Sequence, residues 1–402
     1  MYDKLKKTAK ENILFRFVLN AGFVTLGAFT RFFCLLFRVF PIKRNKVVCC
    51  NMKGKRYGDN PKYIVDKLLE KNKDLNIVWL MRDHKNHDVP SDISVKKYSY
   101  FSEIYHLCTA AVWVDSNTKP YGILKRKNQF FIQTWHGSYG LKKFGLEMGD
   151  QVTFYDRLMF KANAKNFDLV VSNSKKTTEI YQRSFNYYGK FLECGSPRND
   201  LFFTDDSEIR RKVVSHFGIE GKKILLYAPT HRNSLSTECY NVDFERTITT
   251  LEKRFGGEWV ILVRLHPVNM NASKDFINYS DKILNATDYD VMQELLVTAD
   301  ILLSDYSSCM FDFVTKRAPC FIYATDIDQY RNDRGYYFKL EDLPFPLAEN
   351  NDELQNVIMD FDESKYEEDL SRLFSDVGLS ESGEASNKVA DLILDFIGAS
   401  KN

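Results

Sequence analysis

The feature that most restricts what this chain can fold into is an alternation that begins near residue 46. Short apolar runs at 46–50, 77–81, 111–115, 129–134 and 169–172 read as buried strands. Between them lie amphipathic stretches at 61–71, at 102–109 and from about Lys175. The first of these gathers Ile64, Val65, Leu68 and Leu69 on one helical face. The cycle restarts near Ser207. Strands are expected at 223–227, 259–264, 301–304 and 320–323, with helices at 209–216, 243–255, 289–299 and 307–315. Strand–helix alternation of this kind implies a parallel sheet covered by helices. Two cycles in 402 residues imply an α/β protein of two doubly wound, Rossmann-like domains facing a central cleft. The break falls in the loop 196–206. The expected division is an amino-terminal segment 1–45, a first domain 46–205 and a second domain 206–402. A last helix at 384–396, apolar at Val389, Leu392, Ile393 and Phe396, is placed to return to the first domain.

The amino-terminal segment differs in kind. Thirteen of its first 56 residues are Lys or Arg, against only Asp3 and Glu11, although the net charge of the whole chain is +2. That small net charge gives no argument for nucleic acid. Residues 13–40 are rich in Phe, Leu and Val, and their longest charge-free window, 17–30, falls short of the ~20 apolar residues that span a bilayer. There is no cleavage site of the secretory kind. The pattern implies an interfacial helix or helix pair with the arginines at lipid headgroups and Lys43, Arg44 and Lys46 just beyond; the alternative is packing on the globular body or on a second subunit. The eight cysteines form no CxxC pair and sit in apolar runs, which implies reduced, buried thiols.

Each chemically loaded motif follows a strand, so all would open on the same cleft. Ser304-Asp305-Tyr306-Ser307-Ser308 precedes a helix, where unpaired N–H groups and two hydroxyls can cradle a pyrophosphate. Serine is also an ordinary cap. Asp305 suits a phosphate site only if its carboxylate turns away, and Asp312 lies a turn on, within reach of a ribose or polyol hydroxyl. Arg264-Leu265-His266-Pro267 and Trp135-His136-Gly137 end strands in different domains. Histidine can act as acid or base near neutral pH, arginine can pair with phosphate, and Gly137 lets backbone approach a ligand. Arg198 in Pro197-Arg198-Asn199-Asp200 and Arg232 in Pro229-Thr230-His231-Arg232 are phosphate-binding candidates or exposed charges. Lys142 and Lys143 could meet an anionic acceptor or simply face solvent. No Walker loop, GxGxxG, HExxH or compact carboxylate pair is present, so a metal-independent site without cofactor is expected, with arginines, hydroxyls and helix ends neutralising the leaving group.

In this order the motifs resemble the CDP-glycerol glycerophosphotransferase family of teichoic acid synthesis. The resemblance runs from about Lys46 to Gly398 and takes in Gly195-Ser196-Pro197-Arg198-Asn199-Asp200, Tyr227-Ala228-Pro229-Thr230-His231-Arg232, Asp305 to Phe313 and Asp328 to Tyr337. It implies a GT-B fold, acceptor domain first and CDP-polyol domain second, working peripherally at the cytoplasmic face of the membrane on a lipid-linked acceptor. It implies that His136 and His266 are essential, and it places donor contacts at His136, Gly137, Ser138, Tyr139, Arg198, Thr230, Arg264, Leu265, His266, Ser307, Ser308 and Asp312. It leaves CDP-ribitol as an alternative donor, a capsular polymer as an alternative product and a sugar-nucleotide glycosyltransferase as a more distant one. The family's usual Trp-His-Gly-Thr-Pro-Leu-Lys here reads Trp135-His136-Gly137-Ser138-Tyr139-Gly140-Leu141-Lys142. Substrate choice is expected to lie in this altered loop.

Overall fold

The structure is a computed structural model that describes residues 13–83, 89–137, 139–230, 240–265, 277–327 and 335–399. It contains two all-parallel sheets. The first has the order β3-β2-β1-β4-β5-β6-β7, with β1 Lys43–Cys50, β2 Asn76–Met81, β3 Ser94–Lys97, β4 Ala110–Asp115, β5 Phe130–Gln133, β6 Leu169–Ser172 and β7 Phe191–Glu193. The second has the order β10-β9-β8-β11-β12-β13, with β8 Lys223–Tyr227, β9 Trp259–Val263, β10 Ile283–Asn285, β11 Ile301–Ser304, β12 Cys320–Tyr323 and β13 Leu347–Ala348. Strand order reverses between β1 and β4 in one sheet and between β8 and β11 in the other. At such a switch point, loops at the carboxyl ends diverge and leave a crevice for ligand.

Both faces of the first sheet are covered, which is why its strands read as unbroken apolar runs. Side chains alternate across β1. Val47 and Cys49 join a core with Ile64, Val65 and Leu68 of helix Asp59–Lys71 and with Val389, Ala390 and Ile393 of helix Ala385–Ala399. The last helix thus packs on the first sheet. Val48 and Cys50 join the core on the other face, with Ile104, Leu107 and Cys34. Its capping ties the helix to the linker: Asp200 accepts from the N–H groups of Ala385 (3.0 Å) and Ser386 (2.7 Å). All seven cysteines within the described residues are free and buried.

The amino-terminal segment forms one helix, Ile13–Leu36. At 1.5 Å per residue, about 36 Å of helix results, and by length and composition 17–39 could cross a membrane. The charge-free window therefore understated its length, because Arg31, which closes that window, lies exposed within the helix without ending it. A narrow stripe of Phe23, Gly27, Thr30 and Cys34 docks on the body. A Cβ on Gly27 would lie 2.2 Å from the Tyr121 ring, and one on Gly122 would lie 2.1 Å from the Gly27 carbonyl oxygen, so backbone meets backbone here. Thr30 Oγ1 lies 2.9 Å from the Tyr100 hydroxyl, and Phe23 stacks on Tyr155. The remaining circumference leaves Phe17, Val18, Leu26, Phe29, Phe32, Leu35 and Leu36 exposed. Lys46 departs from expectation. It is buried and donates to Thr109 Oγ1 (2.6 Å), with His106 Nδ1 at 3.0 Å, so it faces the protein interior and not the membrane side of the segment.

Candidate active site

Several contacts between the two domains come from loops at the carboxyl ends of strands. Arg56, past β1, donates to the Asp290 carbonyl, past β10 (3.0 Å). Tyr139, past β5, packs its ring on Phe311 and Phe338 of the second domain. Lys143 N–H donates to the Gly335 carbonyl and Tyr337 N–H to the Leu141 carbonyl, 2.8 and 2.9 Å, making a short antiparallel ladder beside Lys142 and Tyr336. The altered loop therefore lies between His136 and a bridge to the second domain. Tyr139 itself is fully buried, and its hydroxyl has no hydrogen-bond partner among the described residues. Ser138, Arg232, His266 and residues 328–334 of the last motif lie outside the described residues.

His136 is held on two sides. Its ring stacks on Trp135, centroids 4.2 Å apart, and its Nδ1 lies 2.7 Å from the Ser116 carbonyl oxygen at the switch point of the first sheet. A carbonyl can only accept, so Nδ1 carries the proton, and the neutral ring keeps its lone pair on Nε2. Burial lowers the His136 pKa below its ordinary value, more than Asp59 and the Ser116 bond raise it, with Arg198 and Lys53 also acting to lower it. Trp135 pays for this presentation with a left-handed backbone, φ +51°. That conformation costs about 1–3 kcal/mol and persists only where the surroundings over-determine it. Gln133 Oε1 accepts from Trp135 N–H (2.8 Å), Asn60 Nδ2 donates to the Trp135 carbonyl (3.1 Å), and the indole stacks on Phe144. The Tyr181 hydroxyl donates to the Gly137 carbonyl (2.5 Å) and so fixes the next residue.

In the second sheet, Asp305 is turned away from the cleft opening. Its carboxylate accepts from Thr230 N–H at 2.8 and 3.0 Å and from Tyr306 N–H at 2.5 Å, so it stitches the loop after β8 to the loop after β11. Ser307 and Ser308 are half-buried, and the Ser308 hydroxyl makes no capping bond to the five-residue helix Cys309–Phe313. Arg264 Nη1 donates to the carbonyls of Ala286 (3.0 Å) and Tyr289 (2.5 Å), and burial pushes its pKa down to about 10. The Leu265 N–H donates to Thr287 Oγ1.

The linker residues are the most enclosed. Arg198 is 3% exposed; its Nη1 meets Asp59 Oδ1 at 2.8 Å and its Nη2 meets Asp312 Oδ2 at 2.9 Å. Burial opposes the charge, but Asp312 and Asp59 outweigh it and raise the Arg198 pKa. This rules out an exposed surface charge at Arg198 and sets Asp312 against the guanidinium. Asn199 Nδ2 donates to Asp312 (3.3 Å) and to Glu381 (2.9 Å). Burial pushes Glu381 up to about 7 against the bonds from Asn199, Ser196 and Asn173. Ser116, Asn60, Asp59 and Glu381 escape sequence reasoning. Asp59-Asn60 ahead of Pro61 carries a local signal, a polar pair at a helix start, but Glu381 meets its partners only through the fold.

Comparison with known proteins now decides the class. The family described as CDP-Glycerol:Poly(glycerophosphate) glycerophosphotransferase matches residues 32–395. The chain belongs to this family. It is an enzyme of that class, a CDP-glycerol glycerophosphotransferase. Among similar proteins, the teichoic acid poly(glycerol phosphate) polymerase of Bacillus spizizenii is 28% identical over 384 residues, covering 90% of this chain and 96% of the relative. The teichoic acid glycerol-phosphate transferase of Staphylococcus aureus is 29% identical over 369 residues, covering 87% and 93%. The solved wall teichoic acid polymerase TagF superposes with a TM-score of 0.81 at 26% identity, covering 96% of this chain and 98% of that one, which agrees with the GT-B arrangement.

Proposed function

We propose that the enzyme transfers glycerol phosphate from CDP-glycerol to a hydroxyl of a membrane-linked teichoic-acid-type acceptor at the cytoplasmic face of the membrane. The acceptor oxygen attacks the β-phosphorus in line and forms a new P–O bond. The bond from that phosphorus to the bridging oxygen breaks, and CMP leaves with the electron pair. His136 Nε2 takes the hydroxyl proton. The observation that carries this assignment is the Nδ1 contact with Ser116, which leaves a neutral imidazole with its free nitrogen unprotonated. Arg264 and His266 stabilise charge developing on the phosphates, while Gly137, Ser138, Thr230, Arg232, Ser307 and Ser308 contact the donor. Tyr139 and Arg198 support the site from its buried side. Incubation with CDP-glycerol and a synthetic lipid-linked acceptor should release CMP in step with acceptor extension. Absence of CMP release would overturn the reading.

Ribitol phosphate is the second reading. The teichoic acid ribitol-phosphate primase of Bacillus spizizenii is 27% identical over 391 residues, covering 93% of this chain and 97% of that one. CDP-ribitol in the same assay separates the two donors.

The exposed face of helix Ile13–Leu36 supports peripheral membrane attachment. Buried in lipid, each Phe or Leu would contribute about 1.5–3 kcal/mol. Changing Leu26, Phe29, Phe32 and Leu35 together to Ser should abolish flotation with anionic liposomes and leave the circular dichroism unchanged, because none of the four lies on the docking stripe. Undiminished flotation would exclude this face as the anchor.

A further inference from the structure

A two-sheet enzyme has two switch points, and the donor contacts proposed at Thr230, Ser307 and Ser308 lie at the second, with those proposed at Gly137 and Ser138 coming from past β5. The mouth of the first, between β1 and β4, is formed by the loop that follows β1. It carries Lys53, Lys55 and Arg56, and Arg82 follows β2 beside it. Lys53 and Lys55 are exposed, and neither is ion-paired among the described residues. The nearest carboxylate along the chain, Asp59, is taken up by Arg198 and by the N–H of Asn60 (2.7 Å).

The loop is built to one shape. Met52, Lys53 and Gly54 are all left-handed, φ +44°, +56° and +79°. Two successive non-glycine residues in that region store strain of the kind found at ligand sites. The bonds that impose it begin at Asn51, whose carbonyl accepts from Gly54 N–H (2.8 Å) and Lys55 N–H (3.2 Å), while the Gly54 carbonyl accepts from Arg82 N–H (2.7 Å). Gly54 also has no room for a side chain, since a Cβ would lie 2.7 Å from Tyr98. Ser116 anchors the loop through its hydroxyl, donating to Asn51 Oδ1 (2.8 Å) and accepting from Met52 N–H (3.2 Å). The same residue holds His136 through its carbonyl. One residue thus sets the distance between the basic loop and the imidazole. Arg56 then crosses to the Asp290 carbonyl and fixes the loop at the cleft.

We propose that the loop Met52 to Arg56 is an anion-binding site of the first domain and holds the phosphate nearest the attacking hydroxyl of the acceptor. The inference rests on the transferase reading above. Bound there, the phosphate places its adjoining hydroxyl toward His136, and the positive field of Lys53 and Lys55 concentrates an anionic acceptor at the mouth.

The test uses the full chain, as wild type, K53Q/K55Q and K53R/K55R. Two probes are a synthetic acceptor ending in glycerol phosphate and a neutral polyol of equal length. Equilibrium binding of each is measured without donor, and CMP release is measured with CDP-glycerol. The Gln pair should weaken binding of the phosphate-bearing probe about tenfold, by analogy with charge-steered sites. Its KM should rise in parallel, with no change for the neutral probe or in the KM of CDP-glycerol. The Arg pair should restore wild-type behaviour, and added salt should weaken wild type more than the Gln pair. Equal binding by wild type and the Gln pair, or an equal rise in the KM of CDP-glycerol, would overturn the assignment. Wild type that binds the phosphate-bearing probe but releases no CMP would count against the transferase reading and leave the anion site standing.

Discussion

Replacing His136 with alanine should lower kcat about 10²–10⁴-fold, the usual contribution of a positioned general base, while CDP-glycerol binding largely survives. The effect follows from how the ring is held. Trp135 on one face and the Ser116 carbonyl at Nδ1 leave only Nε2 to exchange a proton. The pH dependence has a definite sign. A base works in its deprotonated form, so activity falls as pH drops through its pKa. Burial sets that pKa below the ordinary histidine value of about 6.5, and the acid limb of kcat should therefore lie below pH 6.5. The His136→Ala variant should lose this limb. A variant with near-normal turnover, or an unchanged limb in its residual activity, would remove His136 from the chemistry. His136→Asn offers a sharper comparison. It can keep a donor toward Ser116 but has no ring nitrogen to take the proton, so its loss should match that of alanine.

What the amino-acid sequence made legible, and what it hid, divides along the sheets. Every interior strand announces itself: Val112, Trp113 and Val114, or Val260, Ile261 and Leu262, are apolar on both faces because helices cover both. The unforeseen strands are β3, β7, β10 and β13, which are the four edges. Edge strands are half-solvated and short, so their residues carry no apolar run; β3 is Ser-Val-Lys-Lys. The helix Phe154–Asn166 was missed for a related reason. Asn163 and Asn166 spend buried positions on bonds to Lys119 and Ile123, which breaks the apolar period. At the site, histidines and arginines were visible as residue types, but their partners were not. Nothing near Arg198 signals that Asp59 and Asp312, from opposite sides of the linker, converge on it.

That convergence sets the second large effect. Arg198→Ala should cost about 3–5 kcal/mol of stability, and so should Asp312→Ala, because each strands a buried charge whose partner has gone. The cost does not measure the strength of the pair, since desolvation of three charged groups offsets much of their attraction. It measures what is left behind. Arg198→Ala exposes two carboxylates to a dry environment. Asp312→Ala leaves the guanidinium with Asp59 alone and frees Asn199 Nδ2 to rely on Glu381. Residues in one network do not add independently, so the double variant should cost less than the sum of the two singles. Urea denaturation of the four proteins, followed by circular dichroism, gives that cycle. Strict additivity, or losses below about 1 kcal/mol as for solvated surface pairs, would mean that the cluster is open to water. Because Asp59 starts a helix of the first domain and Asp312 lies in a helix of the second, the same substitutions should loosen the seating of one domain on the other. Donor KM and kcat should then both worsen in Asp312→Ala, whereas loss of His136 moves kcat alone.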